Sequence, residues 1–162
     1  MSWAIATVFG VGHLRPAPGT WGSLAAFPLA WGLHILGGWF LLLMAICGLF
    51  AIGLWATRVQ TEGSDNHDPS EIVVDEVVGQ WISLLPISIG ASMMSTSVFA
   101  LWPGLIAAFV LFRLFDIWKP GPVGWADRRD DALGVMLDDV IAGVLGAIAV
   151  VALAALAHGV LM

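Results

Sequence analysis

Charge is scarce in this 162-residue chain. Asp, Glu, Lys and Arg make up 11% of it and hydrophobic residues 59%, against a charged share of roughly 25% in ordinary globular domains. A water-soluble fold is not easily assembled from that composition. Residues 16–57, 77–112 and 140–162 carry no charged side chain at all. One crossing of the hydrocarbon core takes about 20 mainly apolar residues, so the first stretch has room for two helices, the second for two short ones and the last for one. Basic residues are scarcer still, six against twelve acidic ones with no basic run, which excludes the electrostatic footprint of a nucleic-acid binder. The single Cys47 lies in an apolar segment; it permits no intrachain disulfide and offers no Cys/His metal spacing. A positively charged leading region is also missing from the first residues, so a cleaved signal peptide is not expected and the first helices should themselves direct insertion.

The apolar stretches are punctuated. Gly37 and Gly38 divide the first into segments 23–36 and 39–57, which predicts a tight helical hairpin. Pro86 and the polar segment 92–97 divide the second into a kinked helix over 77–91, a small turn and a helix over 98–115. The last stretch makes one helix over 140–162, with Gly143 and Gly146 as a close-packing face. The expected fold is all-α, a single domain over 1–162, built as an integral membrane bundle of about four to six helices. If both hairpins turn on one side, Arg15, Arg58, Arg113, Lys119, Arg128 and Arg129 share the other. The bias of Lys and Arg toward cytoplasmic segments then predicts a polar cap on the cytoplasmic side. A homo-oligomer is compatible with this surface, whose lipid-facing sides offer no contrast to mark an interface. Trp21, Trp39, Trp81 and Trp102, near segment ends, are expected as interfacial anchors.

Carboxylates bordering a bilayer are costly to desolvate and should face a water-filled or metal-filled cavity. Five have that context. Asp75 and Glu76 in IVVDEVVG, Asp116 in FRLFDIWKP, and Asp138 and Asp139 in MLDDVIAG all abut hydrophobic runs. Glu62, Asp65, Asp68, Glu71, Asp127, Asp130 and Asp131 sit among loop formers instead and are expected as solvated surface. Hard oxygen donors of this kind suit Mg²⁺. Neighbours on a helix are 100° apart, so a DE or DD pair should bind through one member or bridge two ions. Simple capping of helix N-termini is the competing explanation for these acids. Gly79 and Gly143, each one turn after an acid, would let helices approach until the acids converge.

Cationic groups accompany the acids. Arg113 and Asp116 are three apart on one helical face, and Pro120 ends that helix just after Lys119. Arg and Lys at that point can clamp a phosphate, while interfacial anchoring with an internal ion pair explains them equally well. In GHLRPAPGTWGSLAAFPL, prolines and glycines lead into the first hydrophobic helix, with Ser23 as the expected N-cap. Such a turn is a natural anion site, to which Thr20, Ser23, His13 and Arg15 could contribute. His34 and His158 lie in apolar runs and should be hydrogen-bonded inside the bundle.

GHLRPAPGTWGSLAAFPL, HDPSEIVVDEVVGQWISLLP and FRLFDIWKPGPVGWADRRDDALGVMLDDVIAG together resemble, in order and over nearly the whole chain, the three sequence blocks of the phosphatidylglycerophosphatase A family. The resemblance implies an all-helical, Mg²⁺-dependent phosphatase in the bacterial cytoplasmic membrane, with its active site on the cytoplasmic side. Its phospholipid substrate would be phosphatidylglycerophosphate, which loses its terminal phosphate to yield phosphatidylglycerol. Carried over by motif, the acids are Asp75, Glu76, Asp116, Asp138 and Asp139, with Arg113 and Lys119 as cationic partners and segment 17–23 as a further block. One departure is visible: Asp131, Ala132 and Leu133 precede Gly134 where the family usually has a glycine pair.

On this reading Asp75, Glu76, Asp138 and Asp139 hold the metal, and Asp116 orients a water or accepts its proton, so that Asp75, Asp116 and Asp139 form the catalytic set. Attack by one Asp through an aspartyl-phosphate stays open. The D-x-D-x-T/V start, the S-G-H element and the Cys-x5-Arg loop of other phosphatases are absent. A small ion or proton transporter is the competing class, and it needs acids midway through the bilayer rather than at segment ends.

Overall fold

The computed structural model describes residues 1–63 and 69–161. Asp65, His67 and Asp68 lie outside the described residues. Six α-helices and two short 3-10 turns account for the fold, and the described residues contain no strand. They are α1 (Ser2–Ala6), α2 (Pro18–Thr61), α3 (Val74–Met93), α4 (Trp102–Trp118), α5 (Pro122–Asp127) and α6 (Ala132–Leu161).

The expected hairpin is present as a reversal within α2. Gly37 (φ −158°, ψ 20°) and Gly38 (φ 64°, ψ −159°) leave the helical region. The Gly38 conformation is open to glycine because no Cβ meets the preceding carbonyl. The second stretch also divides as expected, with shifted boundaries. α3 begins at Val74, so Asp75 and Glu76 occupy its first turn, and it continues through Pro86 to Met93. The helix expected over 98–115 starts instead at Trp102, after a 3-10 turn (Val98–Leu101) capped by the Ser97 hydroxyl, which accepts from the Phe99 N–H. Pro103 in its first turn explains the shift, since a proline there loses no helical hydrogen bond. The largest correction concerns the last helix, which begins at Ala132 rather than 140 and therefore contains Asp138 and Asp139. Asp131 permits the early start: its Oδ1 accepts from the Gly134 N–H at 2.7 Å, an N-cap bond at the family departure.

Three apolar segments are long enough to cross a bilayer: Pro18–Thr61, which is doubled by its reversal, Val98–Trp118 and Ala132–Gly159. α3 is long enough but not apolar enough to be among them, and it is enclosed by the other helices. Asp75, Gln80, Ser83 and Ser88 are buried with Val74, Val77, Val78, Leu84 and Ile87 among the helices packed around it. Polar side chains are tolerated at membrane depth when protein rather than lipid surrounds them. Trp81 is correspondingly no interfacial anchor; it is buried and donates its indole N–H to the Ala26 carbonyl at 2.9 Å. Trp21, Trp39 and Trp102 are exposed. His34 hydrogen-bonds Ser88 at 2.7 Å, whereas His158 is exposed and bonds the Ala154 carbonyl within its own helix.

The α3–α6 crossing explains how the acids meet. A Cβ on Gly79 would lie 2.6 Å from the Asp139 carbonyl and 2.5 Å from the Phe112 ring, and one on Gly143 would lie 3.0 Å from the Gly79 backbone. Ser83 Oγ donates to the Gly143 carbonyl at 3.1 Å across the same contact. Glycine on both sides lets the backbones touch.

Candidate active site

A cavity of ≈ 570 Å³ opens at the charged end of the bundle. The starts of α2 and α3, the last turn of α4, α5 and the second turn of α6 meet there. Asp75 and Glu76 project from the start of α3, Asp116 from near the end of α4, and Asp138 and Asp139 from α6; all five line the cavity. Their carboxylate oxygens fall into two groups. Asp75, Glu76 and Asp139 lie within 4.8 Å of one another, as do Asp116, Asp138 and Asp139. Asp139 belongs to both. Each adjacent pair thus contributes both members, because the acids sit on three helices and reach the cavity from different directions.

Two cations balance part of this charge. Arg113 Nη1 pairs with Asp116 at 2.5 Å, the i,i+3 pair expected on α4. Lys119 follows α4 in a left-handed conformation (φ 51°) that turns it back toward α6, where Nζ donates to Asp138 at 2.9 Å and also to Asp127. Burial works against the Lys119 charge, but the hydrogen bonds it donates to both carboxylates outweigh it and hold the ammonium above the ordinary lysine range. Five clustered carboxylates exceed what these two cations neutralise, and like charges at this spacing are mutually destabilising. Glu76 Oε2 is moreover buried with no hydrogen-bond partner among the described residues. Such a donor set, all hard oxygens with one acceptor unsatisfied, fits a divalent cation of the Mg²⁺ type.

The remaining candidates fall elsewhere. Segment 17–23 is not a loop: α2 starts at Pro18, and Ala17, Pro18 and Gly19 line the cavity while Thr20 and Ser23 do not. Ser23 caps nothing; it is fully buried and its hydroxyl donates to the Gly19 carbonyl at 2.9 Å. His13 is exposed and packs on Trp3, and Arg15 is exposed; neither lines the cavity. Sequence reasoning missed Asp127, Arg129 and Asp130, which line the mouth although the sequence suggests only solvated loop. Their available signal is position, since PGPVGWADRRDD follows directly on the acid-bearing end of α4. Asp131, placed in the same surface set, caps α6. The Arg129 hydrogen bond, and then the Gly134 N–H, hold its carboxyl below the usual range.

Helices long and apolar enough to cross a membrane end at a polar cavity where five acids meet two cations, the arrangement of a membrane-associated enzyme. The chain belongs to the phosphatidylglycerophosphatase A family, whose model matches residues 4–154, and it is a phosphatase. Phosphatidylglycerophosphatase A of Escherichia coli is 35% identical over 144 residues, covering 88% of this chain and 77% of its own. The Haemophilus influenzae protein of the same name is 40% identical over 152 residues, covering 92% and 86%. A Bacteroides thetaiotaomicron relative, 40% identical over 144 residues and covering 86% and 85%, carries the provisional name phosphatidylinositol-3-phosphatase. No solved structure matches the chain.

Proposed function

We propose that the protein hydrolyses the terminal phosphate monoester of phosphatidylglycerophosphate at the cytoplasmic face of the bacterial inner membrane, with Mg²⁺ as cofactor. The observation that carries the proposal is the convergence of the two acid groups on Asp139, beside Arg113, at the end of the bundle where a headgroup would lie. Asp75, Glu76, Asp138 and Asp139 would hold the metal, which when bound supplies positive charge to the phosphoryl oxygens and lowers the pKa of a coordinated water.

Phosphate monoesters hydrolyse extremely slowly in water, so the protein must neutralise the dianion and hold a nucleophile in line. Arg113 offers a planar fork for two phosphoryl oxygens, and Lys119 a point charge beside Asp138. Asp116, fixed by its ion pair with Arg113, orients the attacking water and accepts its proton. The new P–O bond forms as the bond to glycerol breaks, releasing phosphate and phosphatidylglycerol. The apolar spans keep the acyl chains in the bilayer while the headgroup enters the cavity.

Purified protein in detergent, given phosphatidylglycerophosphate with Mg²⁺ and then with a chelator, tests this directly. Release of phosphate should require the metal, and Asp75→Asn and Asp139→Asn should each lower kcat by roughly 10²-fold or more. Full activity in those variants, or metal-independent release, would overturn the proposal. A phosphatidylinositol phosphate and phosphatidic acid in parallel define the headgroup preference. Trapping of a phosphorylated carboxylate would replace the water route by an aspartyl nucleophile.

A further inference from the structure

Gln80 has no role in the chemistry described above, yet its environment is unusual. It is fully buried, and neither its amide oxygen nor its amide nitrogen has a hydrogen-bond partner among the described residues. Leaving such a group unpaired is destabilising, so an apolar side chain of similar volume would be the more stable choice for packing alone. Gln80 lies four residues after Glu76, on the same face of α3 and about 6 Å deeper along its axis. Its neighbour Gly79 is where the α4 residue Phe112 touches α3, and Arg113 follows Phe112. Arg113 and Glu76 meet at Gly19, where a Cβ would lie 3.1 Å from Arg113 Nη1 and 3.1 Å from Glu76 Cδ.

The other buried side-chain polar atoms without a hydrogen bond are Glu76 Oε2, Arg113 Nε and Arg113 Nη1, the last of them ion-paired with Asp116, so every such atom among the described residues belongs to these three side chains. Their chemistry is complementary. The guanidinium has only donors to offer, the carboxylate only acceptors, and an amide has one of each kind.

We propose that Gln80 is a positioning residue, its amide oxygen accepting from Arg113 and its amide nitrogen donating to Glu76, directly or through one buried water. It thereby holds the phosphate clamp and a metal-binding carboxylate in register from beneath the cavity. A leucine or methionine here would leave both free to swing without disturbing the fold. The proposal rests on the phosphatase reading for what Arg113 binds, although the coupling of Gln80 to Arg113 can be measured without turnover.

The test uses the full chain in detergent with Mg²⁺, inorganic phosphate as probe, and the variants Gln80→Leu, Gln80→Met, Arg113→Leu and Gln80→Leu/Arg113→Leu. Phosphate affinity is read by calorimetry, thermal stability by melting, and kcat and KM with phosphatidylglycerophosphate. Gln80→Leu and Gln80→Met should melt no lower than the parent, bind phosphate about tenfold more weakly and raise KM more than they lower kcat. The double variant should bind phosphate no more weakly than Arg113→Leu alone, because the effect of Gln80 passes through that side chain. Parent-like phosphate affinity in both Gln80 variants, additive losses in the double variant, or failure of both to fold would overturn the proposal. Phosphate binding by the parent without turnover of the lipid would overturn the substrate reading instead, with the Gln80–Arg113 coupling still measured.

Discussion

At the scale of single residues, the site depends on where small side chains make room for charged ones. Gly19 is the clearest case. A methyl group there would press on the Glu76 carboxylate and on Arg113 Nη1, the far ends of two flexible side chains. Those ends can move aside, so Gly19→Ala should melt at the parental temperature. The displacement falls on a proposed metal ligand and on the phosphate clamp, and kcat/KM should drop roughly 10- to 100-fold. A lowered melting temperature with retained activity would contradict that account. The acids themselves could be recognised in the sequence because each abuts a long apolar run. Asp127 could not be: it is exposed among loop formers, and only the fold brings it to the cavity lining and to its ion pair with Lys119. Its neighbours Arg129 and Asp130, which line the same mouth, lie in an equally loop-like run of sequence.

At the scale of helices, packing distance and capping decide whether the acids converge. Gly79→Ala differs from the Gly19 change because its methyl would meet the Asp139 backbone carbonyl at 2.6 Å and the buried Phe112 ring, neither of which can yield. The α3–α6 crossing must open, at a cost of about 1–3 kcal/mol, and Asp139 moves with it. Thermal melting and activity should fall together in that variant. The start of α6 depends on Asp131. Removing this cap by Asp131→Ala should cost about 0.5 kcal/mol, the low end of the range for such caps, because the side chain is half-exposed. Its folded pKa lies below the ordinary carboxylate value. The stabilisation is therefore complete above about pH 4 and is lost as the pH falls through the depressed folded value. Melting curves of parent and Asp131→Ala should differ at pH 6 and converge toward pH 2. The helix boundary here was illegible in the sequence, since the last charge-free stretch starts only at 140 and nothing before it marks a start until the cap bond identifies residue 131 as the point where helix begins.

At the scale of the whole molecule, polarity is distributed by end. The cavity, both acid groups and their cations occupy one end of the bundle, while the Gly37–Gly38 reversal and the turn after α3 occupy the other. The positive-inside bias predicts that the charged end lies in the cytoplasm. In a Cys47→Ala background, Ser95→Cys should be labelled by a membrane-impermeant maleimide on intact cells, and Glu62→Cys only after the membrane is opened. The reverse pattern would place the cavity on the outer face and exclude a substrate made in the cytoplasm.

Composition and the placement of charge sufficed for membrane insertion, the hairpin at Gly37–Gly38, the five acids and the Arg113–Asp116 pair. These follow from local physics: the hydrocarbon core rejects charge, paired glycines reverse a helix, and residues three apart share a face. Tertiary structure alone decided that α3 is enclosed rather than lipid-facing, that Asp139 serves both acid groups, that Lys119 spans Asp127 and Asp138, and that Gln80 is buried without a hydrogen-bond partner among the described residues. Each of these depends on which helix lies against which, and contacts between residues distant in the chain leave no periodicity for a linear pattern to reveal.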